Sequence, residues 1–171
     1  GQLVLTLYVD DGRIFDTNAA VCDAFYQRLT ERFAVKEDGL EFYLGMEIKT
    51  PSPNSIILTS RTYIDNLCQR FLDKPVAEYP AIHTPADSKL LECYETALLH
   101  RDQPASRSLR ERYCLLVGGL LFPAPNVRID VLLACGILAR AFTFPTESLY
   151  QCALRVLVYL GQHSSYGLHF S

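Results

Sequence analysis

The sequence has no long hydrophobic run. Its longest, "CLLVGGLLF", ends at Pro123 and falls far short of the roughly 20 apolar residues that a bilayer-spanning helix requires. No signal-peptide pattern precedes the first strand-like segment. Charge is scarce: 20% of residues are charged and the formal net charge is −3, so nothing in the total pulls the chain towards nucleic acid or an anionic membrane. The six cysteines (Cys22, Cys68, Cys93, Cys114, Cys135, Cys152) are scattered. Without CxxC or Cys/His spacing, the sequence carries no signal for a structural zinc site. Most lie in apolar helical patterns, where a reduced thiol acts as a small hydrophobe. The expectation is a reducing, intracellular setting, cytoplasmic or nuclear and not secreted. The histidines His83, His100, His163 and His169 are too far apart to suggest a metal triad, and no Ser/His/Asp motif accompanies them. Internal repeats and low-complexity tracts are also lacking.

What remains is a chain of 171 residues, 49% of them hydrophobic, enough for one domain or two small ones with a real core. Its charge is unevenly spread. Residues 1–50 hold nine acids against five bases, whereas residues 104–171 hold three acids (Glu111, Asp130, Glu147) against six arginines. The chain starts at Gly1 within a strand-like run and reads as a piece of something longer.

"QLVLTLYV" reads as a strand by its β-branched and aromatic content, with "GRIF" as its partner. The Asp11-Gly12 step between them predicts the turn of a buried hairpin. Asp16, Thr17 and Asn18 offer N-caps to a helix whose apolar face is Val21, Cys22, Phe25, Tyr26, Leu29 and Phe33. "EFYLGMEIKT" and "SIILT" predict two strands around a turn at Pro51–Asn54. Ser60 is positioned to cap a second helix carrying Tyr63, Ile64, Leu67, Cys68, Phe71 and Leu72 on one face. Residues 73–108, with Pro75, Pro80, Pro85 and Pro104, predict an extended connector holding a short helix near 89–99. Helices are expected at about 109–122, 127–142 and 146–161, separated by Pro123, Pro125 and Pro145. The closing "YGLHFS" reads as the first strand of a following domain.

The adjacent carboxylates Asp10 and Asp11 admit two readings. Aspartate is a common turn residue because it bonds its own backbone and tolerates left-handed geometry. Alternatively, carboxylates displayed at the end of a buried strand can hold a divalent cation against substrate phosphates. Magnesium favours hard, sparse carboxylate ligation, and two-metal phosphoryl chemistry needs such groups to clamp the attacking and leaving oxygens.

The blocks "LYVDDGRIFDTN", "FYLGMEI", "LTSRTYIDNL", "HTPADSKL", "YCLLVGGLLF", "NVRIDV", "PTESLYQCALRVLVYL" and "YGLHFS" follow one another in this order. Together they resemble the reverse transcriptase of copia-type LTR retrotransposons, from the active-site hairpin to just before the RNase H domain, over about residues 3–170. The resemblance implies that Asp10 binds catalytic magnesium ions and that Asp11 shapes the metal site. Tyr8 and Val9 would lie near the primer end and the incoming nucleotide. Leu44 and Gly45, in "YLGMEI", would belong to a primer-grip hairpin, where a residue without a side chain lets backbone approach backbone; the other reading of Gly45 is a plain turn glycine. Lys36 would be the local candidate to protonate departing pyrophosphate, or else an ordinary solvated lysine. Arg128, Arg140 and Arg155 would face template–primer phosphates, or else be surface or ion-paired arginines, Arg128 having Asp130 close by.

Three departures reduce the nucleic-acid surface the family pattern would give. Cys114 replaces the arginine usual after the tyrosine in the "YxxLVGxLLY" block, Ile129 replaces proline between Arg128 and Asp130, and "VYLGQH" stands where "RYLKGT" is usual. The fold expected is α+β: a partial polymerase palm of antiparallel hairpins plus a helix over residues 1–72, a connector over 73–108, and a helical thumb-like lobe over 109–171 leading towards RNase H. The implied activity of the intact parent is RNA-directed DNA synthesis. It would use RNA template, DNA primer, deoxynucleotides and magnesium, alongside the remaining polyprotein segments with fingers and RNase H. The isolated chain, lacking the first palm aspartate, is expected to be inactive. The alternative is a degenerate, non-catalytic folded relic that acts at most as a nucleic-acid-binding module.

Overall fold

Alternating apolar residues and tight-turn chemistry place the strands of this α+β chain, and amphipathic stripes place its helices. The structure, a computed structural model, describes residues 3–171 apart from Glu37, Asp38, Leu40 and Pro104. The chain divides into two compact units, Gly1–Leu44 and Gly45–Ser171.

In the first unit, strands β1 (Val4–Tyr8) and β2 (Asp11–Phe15) form an antiparallel hairpin in register from Val4↔Phe15 to Tyr8↔Asp11. The expected hairpin is present, but its turn is Val9-Asp10, not the Asp11-Gly12 step. Gly12 lies within β2, opposite Leu7. The shift keeps every residue from Val4 to Tyr8 paired, at the expense of a left-handed φ of 54° at Val9. A helix, α1 (Ala19–Thr30), follows; Asn18 caps it by accepting from the Ala20 N–H, while Asp16 Oδ1 accepts from the Asn18 N–H at 2.8 Å. The expectation of a buried hairpin is not met. Every β1 residue is exposed and α1 has no buried residue, because one hairpin and one helix hold too few apolar side chains to enclose a core. A two-residue strand, β3 (Phe42–Tyr43), closes the unit's regular structure. Arg13 ties it to the hairpin by donating to the Phe42 carbonyl and lying over the Tyr43 ring at 5.3 Å.

The second unit opens with β4 (Met46–Ser52) and β5 (Ser55–Thr59), paired antiparallel with Ile48↔Leu58 and joined by Pro53-Asn54. The closing "YGLHFS" is not the start of a separate sheet. Its strand β6 (Leu168–Phe170) adds antiparallel to β5, with Leu168↔Leu58 and His169↔Ile57, and His169 Nε2 lies 2.7 Å from Ser55 Oγ. A three-residue strand separated from its partner by more than a hundred residues carries no local signal, which is why the sequence did not disclose the pairing.

Five longer helices complete this unit: α2 (Arg61–Phe71), α3 (Ser88–Leu99), α4 (Arg107–Leu121), α6 (Leu132–Ala139) and α7 (Glu147–Gln162); the single turn α5 (Pro123–Asn126) lies between α4 and α6. α3 falls inside the stretch read as a connector. The helix expected over 127–142 is broken. Arg128, at φ −122° and ψ 58°, turns its side chain inward, a 3₁₀ turn over Ile129–Val131 follows, and only Leu132–Ala139 is α-helical. The core lies between α4, α6 and α7, where Tyr113, Leu116, Leu120, Leu138, Leu149, Leu157 and Leu160 are fully buried. Tyr113 satisfies its hydroxyl by donating to the Leu138 carbonyl at 2.7 Å. Cys68, Cys135 and Cys152 belong to this core. Burial pushes the thiols of Cys135 and Cys152 up to about 12, so they act as small hydrophobes. No described helix is long and apolar enough to cross a membrane.

The N-terminus of α2 is capped differently from expectation. Ser60 is completely buried, yet its hydroxyl makes no hydrogen bond. Glu47, reaching over from β4, takes the role instead: its Oε1 accepts from the Thr62 N–H at 2.6 Å and its Oε2 from the Thr59 hydroxyl at 3.2 Å. Burial pushes the Glu47 carboxyl up, but the Thr62 and Thr59 hydrogen bonds outweigh it and hold the group below its usual value. A carboxylate at a helix N-terminus also meets the positive end of the helix dipole. Glu47→Gln should therefore cost about 1–2 kcal/mol at neutral pH. The folded-state pKa is depressed, so this contribution is complete above the unfolded value of about 4.3 and is lost as pH falls through the folded value. Ser60→Ala should cost less than about 0.5 kcal/mol, since it removes an unsatisfied hydroxyl. Urea unfolding of both variants at pH 7 and pH 4 checks the pair; a larger loss in Ser60→Ala than in Glu47→Gln would overturn the capping assignment.

Candidate active site

Tyr8, Val9, Asp10 and Asp11 occupy the four positions of the β1–β2 turn. Tyr8 and Asp11 close it as the last strand pair, and Val9 and Asp10 form the loop. All four are exposed, Val9 at 81% and Tyr8 at 62%. The two carboxylates therefore project where a substrate could reach them.

Val9 is the unexpected element. A β-branched residue at positive φ brings its Cβ against the backbone, a penalty of roughly 1–2 kcal/mol that glycine would avoid. Leu44, at φ 51°, is the other non-glycine residue with positive φ among those described, and Gly45 follows it at φ 75°. Strain of this kind clusters at functional sites. Here it falls on two positions, Val9 and Leu44, for which the family resemblance implies nucleotide and primer contacts. No composition or periodicity signal discloses a backbone angle.

Gly45 is constrained as well as left-handed. A Cβ there would lie 2.9 Å from Phe122 Cζ, whose ring packs on Tyr63 with centroids 4.6 Å apart. Tyr63 in turn donates to the Gly119 carbonyl at 3.0 Å, so the aromatic surface under Gly45 is held in place by α2 and α4.

The other candidates separate by environment. Lys36 is exposed in the segment after α1. Arg140 is exposed beyond the end of α6. Arg155 is one-third exposed; its Nε lies 3.5 Å from Asp87 Oδ2 and it donates to the Thr84 carbonyl at 3.4 Å. Arg128 does not face solvent. Only 1% exposed, it forms a two-pronged pair with Asp130 (Nε to Oδ1 3.0 Å, Nη2 to Oδ2 2.8 Å) and donates to the His163 carbonyl at 2.9 Å. Its charge is committed inside the fold, which removes it from the expected phosphate-facing set. Sequence reasoning also missed Arg13, whose bonds to the segment after α1 depend on a long-range contact no local pattern encodes.

The donor chemistry available for a cation is two hard carboxylates on one hairpin. Among the described residues no group of three His, Cys, Asp or Glu is clustered. Magnesium commonly takes one or two protein carboxylates and completes its octahedron with water and phosphate oxygens, so Asp10 and Asp11 fit the protein's share of such a site.

Two curated proteins show sequence similarity along nearly the whole chain. The transposon Ty5-1 protein of Saccharomyces cerevisiae is 26% identical over 161 residues, covering 94% of this chain and 49% of that protein. The retrovirus-related Pol polyprotein from transposon RE1 of Arabidopsis thaliana is 28% identical over 165 residues, covering 96% of this chain and 10% of the polyprotein. The chain is retrotransposon-like. It spans about half the length of the yeast relative and a tenth of the plant one. No family model matches the chain and no solved structure matches it.

Two glycines test the packing around the site. Gly45→Ala should lower stability by about 1–3 kcal/mol, through its positive φ and the Phe122 ring. Gly118→Ala, mid-helix in α4 with nothing within 4 Å of the added methyl, should raise it by up to about 1 kcal/mol. Thermal unfolding of the two variants reads both signs; equal effects would contradict this account of Gly45.

Proposed function

We propose that this chain is the distal palm and thumb portion of a copia-type retroelement reverse transcriptase, an RNA-directed DNA polymerase acting inside the cell. The observation that carries the reading is the coincidence of backbone strain with the sequence blocks. Among the described residues, positive φ outside glycine occurs at Val9 and Leu44, the turn residue of "YVDD" and the first residue of the "LG" step. The similarity to two transposon proteins along nearly the whole chain supports the retroelement origin.

In this reading Asp10 and Asp11 hold magnesium at the turn, and the hairpin's role is to present them rigidly to a nucleotide triphosphate. Magnesium, when bound, neutralises charge on the triphosphate and on the attacking 3′-oxygen. Tyr8 and Val9 then form the surface beside the primer end, and Leu44 and Gly45 hold the primer backbone. RNA template, DNA primer and deoxynucleotides are the ligands in this reading, with Lys36 as the candidate proton donor to pyrophosphate. Arg140 and Arg155 remain the arginines open to template–primer phosphates.

A polymerase site of this type needs carboxylates from more than one strand to offset two cations. The 171-residue chain by itself should therefore show no primer extension above background. Supplying the fingers and first palm strand from the same element should give template-dependent synthesis, and Asp10→Asn should abolish it. Synthesis that survives Asp10→Asn would overturn the metal-site assignment. Binding to an RNA–DNA duplex gives a second test. Affinity should fall with salt, and Arg140→Gln should take roughly 0.9 off the log–log slope if that side chain meets one phosphate. An unchanged slope would remove Arg140 from the interface.

A further inference from the structure

Arg128 is the largest fully buried side chain of the protein and its only charged member of that set among the described residues. Burying a guanidinium is costly unless every donor is used, and here its contacts converge from three segments. Asp130 accepts two hydrogen bonds from it, and the His163 carbonyl, at the C-terminal end of α7, accepts a third. The guanidinium lies 5.5 Å from the Tyr159 ring centroid and 5.6 Å from that of Tyr166. Tyr159 donates to Asp130 Oδ2 at 2.9 Å, completing the carboxylate's set. His163 stacks between the two tyrosines, 4.7 and 4.9 Å away, and its Nε2 lies 3.0 Å from the Ile82 carbonyl.

Tyr166 is where this cluster meets the sheet. The next residue, Gly167, passes so close to β5 that a Cβ would sit 2.0 Å from the Leu58 carbonyl oxygen. Leu168 then pairs with Leu58, and Leu58 pairs with Ile48. One row of residues, Ile48–Leu58–Leu168, thus crosses β4, β5 and β6. It starts two residues after Tyr166 and ends three residues after Gly45.

We propose that Arg128 is a positioning residue: by clamping the Tyr166 end of β6 it locks that strand onto β5 and so fixes the sheet whose β4 strand leads out of the Gly45 turn. The consequence for primer placement rests on the polymerase reading, but the mechanical coupling does not. A buried ion pair is weak evidence for stability and better suited to selecting one arrangement. Lysine cannot reproduce the contact, since a single ammonium cannot span two carboxylate oxygens and a carbonyl in the guanidinium's planar fork.

Amide hydrogen exchange on the full 171-residue chain tests the coupling. Arg128→Lys should lower protection at least tenfold at the amides of β6 and at the paired positions of β4 and β5. Amides of the α4 and α7 core, such as those of Leu116 and Val156, should change less than threefold. Tyr166→Ala, at a residue 54% exposed, should give the same sheet-selective loss and carries the test should Arg128→Lys fail to fold. Loss confined to residues 128–130 and 163–166, or loss spread evenly over sheet and helical core in both variants, would overturn the proposal. Because exchange is read and not synthesis, the outcome is separate from the fate of the polymerase reading, which stands on Asp10→Asn.

Discussion

In the larger unit, the path of the chain through residues 127–132 depends on the satisfaction of one buried guanidinium. Arg128 stands at the C-terminal end of α7, where the last helical carbonyls favour a cation, and it also pairs with Asp130 within its own turn. Burial pushes the Asp130 carboxyl up, but the bonds from Arg128 and Tyr159 outweigh this and hold it low, so the pair stays charged. That requirement explains the broken helix over 127–142. A regular helix would carry the side chain of Arg128 away from Asp130 and from the α7 terminus, and the chain takes non-helical angles at Arg128 instead. The 3₁₀ turn and the short α6 follow from that one choice.

The helical elements were the most legible part of the sequence. The stripe of Ile64, Leu67 and Cys68 faces the core as its spacing implied, and Thr146 caps α7 by accepting from the Leu149 N–H at 3.2 Å. What escaped were features set by distant partners. Glu47, and not Ser60, caps α2, because a carboxylate thirteen residues away in sequence reaches the Thr62 N–H with one oxygen and the Thr59 hydroxyl with the other. β6 pairs with β5, which lies some 110 residues earlier in the chain. In the site, the carboxylates and glycine were legible by residue type. The turn position and the strain at Val9 were not, because the Asp-Gly step offers an equally plausible turn one pair later.

The two units differ in how far they enclose their apolar side chains. In Gly45–Ser171 nearly all large apolar side chains of α4 and α7 are enclosed, and the buried Tyr113 and Arg128 are hydrogen-bonded while the buried Ser60 hydroxyl is not. In Gly1–Leu44 the reverse holds: Val4, Leu5, Leu7, Phe15 and Phe33 are all more than 40% exposed. Apolar area left in water contributes nothing to stability, so the hairpin is held chiefly by its ladder and by the bonds of Arg13.

That makes the strain at Val9 informative. In a well-packed core, a residue can be forced to positive φ by burial of its neighbours, and the angle then says little about function. At the β1–β2 turn no such force exists, since Val9 and both flanking residues are exposed. A two-residue loop does need left-handed backbone to follow the strand twist, and this explains the angle itself. It does not explain a valine there in place of glycine or asparagine, which would adopt the angle more easily. The side chain is exposed and buries little in this fold, so packing within the chain gives valine no advantage at that position. On the proposed polymerase reading, an apolar, rigid surface beside two carboxylates would offer one to a nucleotide or primer end lying against it, and that reading would place Val9 in the site along with Asp10.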